Sequence, residues 1–220
     1  MKAKFTLLQN KKRAVFAFKG GKGSGFYDHP GGKGGKGNPG GSQSNGEGAT
    51  NQAEWERLQT SRYNSIISSL KNKLGIPQSA QVKFSSAFRY STLPDGTDVM
   101  VAGDFNTSTH SITLYTDPRD ESESSEILLH EYSHMMVQSV MDKSNTVSLQ
   151  KIFQDEKLFA STPKFSSYAA KYWEGNDMTL SIKETVAEAY RYMKSGRAND
   201  IPAGWQKYTH EIERLYANLS

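Results

Sequence analysis

The feature that most constrains this chain of 220 residues is the stretch 128–134, which reads L-L-H-E-Y-S-H. Its two histidines are four residues apart, and on a helix this spacing places both imidazoles on one face, one turn apart. Such a pair can bind one zinc ion at about 2.0–2.1 Å, and the glutamate between them can take a proton from a zinc-bound water. Apolar residues at 127–129 and 135–137 predict that this helix is buried.

A metal site is one of two interpretations of this stretch. In the other, His130 and His134 are satisfied by hydrogen bonds on a buried helix, but Glu131 would then be buried at a cost that nothing offsets. We therefore predict that His130 and His134 bind zinc. The chain has no cysteine, so a third ligand must come from histidine, aspartate or glutamate.

The third ligand is expected downstream, because a catalytic zinc takes three protein ligands and leaves a fourth position open. Glu184 and Glu188 are the main candidates, since they lie four residues apart and share one face of a predicted helix. His210, near the C-terminus, and His29, in a glycine-rich segment, are weaker options.

Residues 184–195 read E-T-V-A-E-A-Y-R-Y-M-K-S and resemble the third-ligand helix of gluzincin-type zinc metallopeptidases related to the anthrax lethal factor catalytic domain. The resemblance covers roughly residues 110–195. It implies that Glu184 binds zinc with His130 and His134, and that Glu188 hydrogen-bonds a ligand histidine. It also implies a zinc-dependent endopeptidase that hydrolyses protein or peptide substrates with Glu131 as the general base.

Two features of this helix and its surroundings leave alternatives open. Ser181 and Glu184 also match a capping box, in which Glu184 would bond the backbone of Ser181 instead of a metal. The resemblance further implies a tyrosine ahead of the ligand helix whose hydroxyl stabilises the oxyanion. Tyr168 matches that role but lies farther ahead of Glu184 than the tyrosine of the family does, so Tyr172 is the alternative.

The resemblance also bears on how substrate binds. The β-rich run 111–116 lies just ahead of the motif helix. In related peptidases such a strand lies at the cleft, and an extended substrate pairs with its main chain. We therefore expect substrate to pair with this strand.

The remaining pattern predicts an α+β fold, with a small twisted sheet, the motif helix and a C-terminal helical part. Together with the resemblance, which implies a zincin-like metallopeptidase, this predicts a domain over residues 51–220. The predicted helices span 51–74, about 120–141, 146–159, 181–193 and 202–219, with 163–178 irregular, and the predicted strands span 81–90, 99–102 and 111–115.

Residues 1–50 differ from the rest in composition. They hold nine Lys/Arg and two acidic residues, whereas the remainder holds 18 basic and 21 acidic residues. The runs 4–8 and 13–18 predict an N-terminal hairpin within residues 1–19. Residues 20–48 contain 13 glycines in 29 positions, which predicts a basic, flexible linker over 20–50. Its lysines can contact nucleic acid phosphates without sequence preference.

Residues 20–42 are also similar to glycine-rich segments of tailed-phage head-morphogenesis proteins. This likeness implies phage structural proteins as partners. It supports a second hypothesis, a phage structural or binding module with an idle zinc site and a basic adhesive tail. No apolar run is long enough for a signal-peptide core or a membrane span, which favours a cytoplasmic or virion-associated location.

Overall fold

The computed structural model describes residues 14–18, 47–87, 89–93, 96, 98–160 and 162–219, with side chains from residue 58 onward. The predictions for the first run of the hairpin, for residues 20–46 of the glycine-rich linker and for His29 lie outside these residues, whereas residues 47–50 of the predicted linker are helical. The described part contains six α-helices and one five-stranded sheet. This confirms the prediction of an α+β fold with a small sheet.

The sheet is mixed and is built around its longest strand. Its strands are β1 (Ala14–Phe18), β2 (Gln81–Phe84), β3 (Tyr90–Thr92), β4 (Asp98–Asn106) and β5 (Ser111–Leu114). β4 pairs antiparallel with β1, β3 and β5, and β2 adds to β5 in parallel. β4 is longer than the predicted strand 99–102, because β1 and β5 pair with it on both sides and hold it extended as far as Asn106.

β5 is an interior strand of this sheet, in the order β1-β4-β5-β2. β4 pairs with one of its edges and β2 with the other, and both pairings cover Ser111–Leu114. The expectation that an extended substrate pairs with this strand is therefore wrong for these residues. The parallel partner β2 is the physical reason, since its hydrogen bonds occupy the edge that a peptide would need.

The helices are α1 (Glu47–Leu74), α2 (Glu121–Lys143), α3 (Val147–Asp155), α4 (Ser167–Tyr172), α5 (Met178–Lys194) and α6 (Ala203–Ala217). α1 begins ahead of the predicted start at Asn51, and α4 lies in the segment that was predicted to be irregular. α3 is shorter than predicted and ends before Lys157, which has a left-handed backbone with φ of 50°. Within the described ranges, no helix is both long enough and apolar enough to cross a membrane.

α2 runs through the core between the sheet and the C-terminal helices. Asp120 caps its N-terminus by accepting a hydrogen bond from the backbone N–H of Glu123. Ile127, Leu128 and Val140 are fully buried along its length. Its contacts include β4 and β5 on one side and α5 and α6 on the other. The burial predicted for the motif helix is confirmed.

β4 comes unusually close to α2 at Gly103. A Cβ atom at this position would lie 2.5 Å from Cγ2 of Ile127 and 3.1 Å from Cγ of Glu131. Any side chain larger than hydrogen would therefore push the strand and the helix apart. The glycine is required for the strand backbone to pack directly against Glu131.

Candidate metal centre

Three side chains on the facing surfaces of α2 and α5 form a compact buried group. The Nε2 atoms of His130 and His134 lie 3.1 Å apart, and Oε2 of Glu184 lies 3.3 Å and 3.6 Å from them. The three residues are at most 3% exposed. The group of His130, His134 and Glu184 can hold a metal ion.

The spacing and the bonding of this group both fit a metal ion. Tetrahedral ligands with bonds of about 2.0–2.1 Å are about 3.3 Å apart, close to the three distances between the ligand atoms here. Neither carboxylate oxygen of Glu184 has a hydrogen-bond donor among the described residues. A buried carboxylate without donors is costly, and a bound cation removes that cost.

Glu184 does not take part in a capping box. α5 begins at Met178, and its N-cap is Asp177, whose side chain accepts a backbone N–H of the first turn. Ser181 lies inside the helix, and its Oγ lies 2.9 Å from the backbone carbonyl oxygen of Asp177. The capping alternative for Glu184 is therefore wrong, because the helix starts one turn earlier than that pattern predicts.

Glu188, one turn beyond Glu184, bonds the other nitrogen of His130. Nδ1 of His130 lies 3.0 Å from Oε1 of Glu188, and Arg191 donates to both carboxylate oxygens at 3.0 Å and 2.9 Å. Ser166 donates to Oε2 at 2.5 Å, and Arg191 also pairs with Glu126 of α2. Since an ionised Glu188 can only accept, Nδ1 of His130 carries a proton, and loss of the proton on Nε2 would leave the lone pair of that nitrogen for a metal ion.

The charges around this group favour a cation. Burial raises the pKa of Glu188, but the bonds from His130 and Arg191 outweigh it and lower this pKa to about 2. Burial also acts to raise the pKa of Glu184, and the nearby His134 and His130 bring it below its ordinary value. Burial lowers the pKa of His130, yet Glu184 and Glu188 raise it to about 9. The two buried carboxylates therefore stabilise the positively charged imidazole of His130 by more than burial destabilises it.

Glu131, Tyr168 and Tyr172 lie beside the metal-binding group. Glu131 is fully buried on α2, against Gly103 of β4. The ring of Tyr168 packs edge-on against that of His130, with centroids 5.8 Å apart, and its hydroxyl lies 3.0 Å from that of Tyr172. Burial and the charge of Glu184 raise the pKa of both tyrosines. The structure therefore places the hydroxyl groups of both candidate tyrosines next to each other, beside the metal-binding group.

His210, a weaker candidate for the third ligand, lies away from this group. It is on α6, with 62% of its side chain exposed, and contacts Glu213 at 3.2 Å. His210 therefore does not contribute to the buried group.

An apolar cavity lies between α2, α3, α5 and α6, and its lining includes Val137, Phe153, Ile182 and Val186. Ile182 and Val186 are each two residues from Glu184 along α5, so they point to the opposite side of that helix. Lys183, which directly precedes Glu184, also lines the cavity, so the cavity adjoins both helices that carry the metal-binding group.

Sequence reasoning missed four residues that support the site: Ser166, Arg191, Glu126 and Gly103. Arg191 could have been found, because it lies three residues after Glu188 on the same predicted helix. Ser166 lies within residues 163–178, which the sequence predicts to be irregular, so no helix start was expected there and its role as a cap could not be predicted. The contacts of Glu126 and Gly103 depend on how distant segments pack, which local patterns do not encode.

Comparisons of the chain with known protein families, with curated proteins and with solved structures found no significant match. What the site can do therefore follows from the contacts of His130, His134, Glu184 and their neighbours.

Proposed function

We propose that the chain is a zinc-dependent endopeptidase with a zincin-like domain. The observation that carries this proposal is the buried triangle of His130, His134 and Glu184, with Glu131 next to the first ligand on the same helix. Two imidazoles and one carboxylate form a ligand set that suits zinc and leaves one position open.

His130, His134 and Glu184 would hold the zinc ion, and Glu188 fixes the orientation of His130. Bound zinc supplies Lewis acidity, which lowers the pKa of a water molecule towards about 7 and polarises the scissile carbonyl. Glu131 takes the proton of the attacking water and later delivers it to the leaving amine. The full burial of Glu131 shields this proton transfer from bulk water.

Tyr168 donates its hydroxyl hydrogen to the oxyanion that develops on the substrate carbonyl. Its raised pKa, caused by burial and by the charge of Glu184, keeps the hydroxyl protonated and able to donate. The hydroxyl of Tyr172 lies 3.0 Å away and orients that of Tyr168. Proteins or peptides are the substrates, because the chemistry acts on an amide carbonyl.

The test is a cleavage assay on zinc-loaded protein with a peptide library, with and without a chelator. Glu131→Gln is expected to keep stoichiometric zinc and to lose cleavage by about 10²–10⁴-fold, because the general base is gone. His134→Ala is expected to lose both zinc and cleavage. Glu121→Gln, at the exposed start of the same helix, is the matched control and should behave as the wild type.

Cleavage that survives in Glu131→Gln protein would contradict this mechanism. A wild-type chain that binds zinc and cleaves no peptide would instead support the binding or structural module with an idle metal site.

A further inference from the structure

We propose that Ser166 is a positioning residue that ties α4, the helix with both candidate tyrosines, to the metal centre. Ser166 is 2% exposed and immediately precedes α4. The functional meaning of the tyrosines rests on the proposed function, whereas the bonds of Ser166 are independent of it.

The hydroxyl of Ser166 makes two hydrogen bonds at once. It donates to Oε2 of Glu188 at 2.5 Å, and it accepts the backbone N–H of Ala169 at 3.2 Å. A serine hydroxyl has one hydrogen to donate and two lone pairs to accept with, so the two bonds are compatible. The second bond makes Ser166 the N-cap of α4.

These bonds form a continuous path from a metal ligand to the tyrosine helix. Nδ1 of His130 bonds one oxygen of Glu188, and Ser166 bonds the other. From Ser166 the path enters the backbone of α4 at Ala169. The position of Tyr168 next to His130 therefore depends on the same carboxylate that orients the imidazole.

α4 needs such an anchor because it has only six residues, from Ser167 to Tyr172. A helix of this length is not stable in water by itself, since forming the first turn is unfavourable. Ser181 of α5 holds the other end through a bond of 2.7 Å from its Oγ to the carbonyl of Tyr172. Ser166 fixes the start of the helix and Ser181 fixes its end.

A cation on Nε2 of His130 would polarise the Nδ1–H group and strengthen its bond to Glu188. The carboxylate that accepts from Ser166 would then be held more firmly, which would order α4. Because thermodynamic coupling is reciprocal, loss of the Ser166 bond must also weaken metal binding.

The test compares Ser166→Gly and Ser166→Ala with the wild type. Glycine is nearly as good an N-cap as serine, so Ser166→Gly removes the bond to Glu188 and leaves the start of α4 favourable. Zinc affinity, measured by competition with a chromophoric chelator, is expected to fall about tenfold in both variants. Hydrogen exchange of the α4 amides is expected to slow when zinc binds the wild type, and this slowing should be lost in both variants.

Ser139→Ala is the matched control. Ser139 is a buried serine of α2, and its Oγ donates to the carbonyl of Met135 at 2.9 Å. It makes no contact with Glu188, so its loss should leave both zinc affinity and α4 exchange unchanged.

Ser166→Gly protein that keeps wild-type zinc affinity and the zinc-dependent slowing overturns the proposal. Zinc affinity and hydrogen exchange can both be measured without cleavage. A chain that binds zinc and cleaves no peptide would therefore refute the proposed function and leave the proposed role of Ser166 unaffected. A wild-type chain that binds no zinc would overturn both.

Discussion

Nδ1 of His130 lies 3.0 Å from Oε1 of Glu188, and both residues are at most 1% exposed. This bond decides which imidazole nitrogen is available as a ligand, because the nitrogen that donates to Glu188 cannot also bind a metal. The carboxylate is fixed in turn by Arg191, which donates to both of its oxygens. The orientation of one predicted zinc ligand is thus set by residues that never touch the metal.

Glu188→Gln is expected to weaken zinc binding by about 10–100-fold. Glutamine keeps the shape of the side chain but loses the charge, and its amide nitrogen cannot accept from Arg191. A competition titration with a chelator measures the affinity. Glu174→Gln, at an exposed position between α4 and α5, is the control. Equal affinities for all three proteins would show that the outer carboxylate is not needed.

Gly103→Ala is expected to lower kcat by about 10–100-fold while zinc stoichiometry stays at one, because the new Cβ would displace Glu131 from its position. A Cβ atom at position 103 would lie only 3.1 Å from Cγ of Glu131, so the side chain of Glu131 would have to move. The measurement is steady-state kinetics together with metal analysis.

The control for Gly103 is Gly204→Ala, which is also crowded but is remote from the site. Its Cβ would lie 2.8 Å from Cδ2 of Leu158. Gly103→Ala should lose about 1–3 kcal/mol of unfolding free energy through overpacking and Gly204→Ala no more than that, and only Gly103→Ala should lose kcat. An unchanged kcat in Gly103→Ala would show that Glu131 does not depend on this close approach.

Tyr168→Phe is expected to lower kcat by about 10²–10³-fold, the typical effect of losing one oxyanion donor. Tyr172→Phe should have a smaller effect, since its hydroxyl acts through that of Tyr168 in the bond of 3.0 Å. Kinetics of the two variants and of the double variant, at full zinc occupancy, separate the two roles. The opposite order of effects would assign the oxyanion contact to Tyr172.

The fold is expected to lose stability in alkali between about pH 10 and pH 12. Burial raises the pKa of Tyr208 from 10.0 to about 12, so the folded state favours the neutral phenol. A group whose pKa is raised on folding contributes its full stability below the unfolded pKa, and loses it as pH rises through the folded pKa. For Tyr208 this amounts to at most about 3 kcal/mol.

Tyrosinate absorbance and far-ultraviolet circular dichroism should therefore change together in an alkaline titration. Tyr190, whose pKa is also raised by burial, should ionise in the same transition. Full ionisation of the buried tyrosines near pH 10 with the circular dichroism unchanged would contradict this expectation.

The sequence predicted the centre of the site well because the relevant patterns are local. The spacing of His130 and His134, and that of Glu184 and Glu188, each fix a shared helix face without any knowledge of the fold. Helical periodicity also located α2 and α5 to within a few residues. The pairing of these two helices then brings the residues into one group.

Other parts of the structure depend on partners far apart in the chain and could not be predicted. Tyr168 lies far ahead of Glu184 in the sequence, which argued against its role at the oxyanion. In the structure, α4 and the turn after it nevertheless place its ring against that of His130. The run Ser111–Leu114 reads as a strand, but nothing in it reveals the parallel partner that covers its second edge. The role of Gly103 likewise follows only from the helix packed against it.

The pairing of β1 with β4 has a consequence for how the chain folds. Its partners run from Ala14 opposite Phe105 to Phe18 opposite Met100, so they are 82 to 91 residues apart in sequence. Closing so long a loop costs entropy before any hydrogen bond forms, and such non-local pairings form late. Before β1 pairs with β4, the backbone N–H and C=O groups along one edge of β4 are unpaired and can bond to the backbone of another chain. We therefore expect β1, the first of the described strands, to join the sheet late and to cover that edge of β4 when it does.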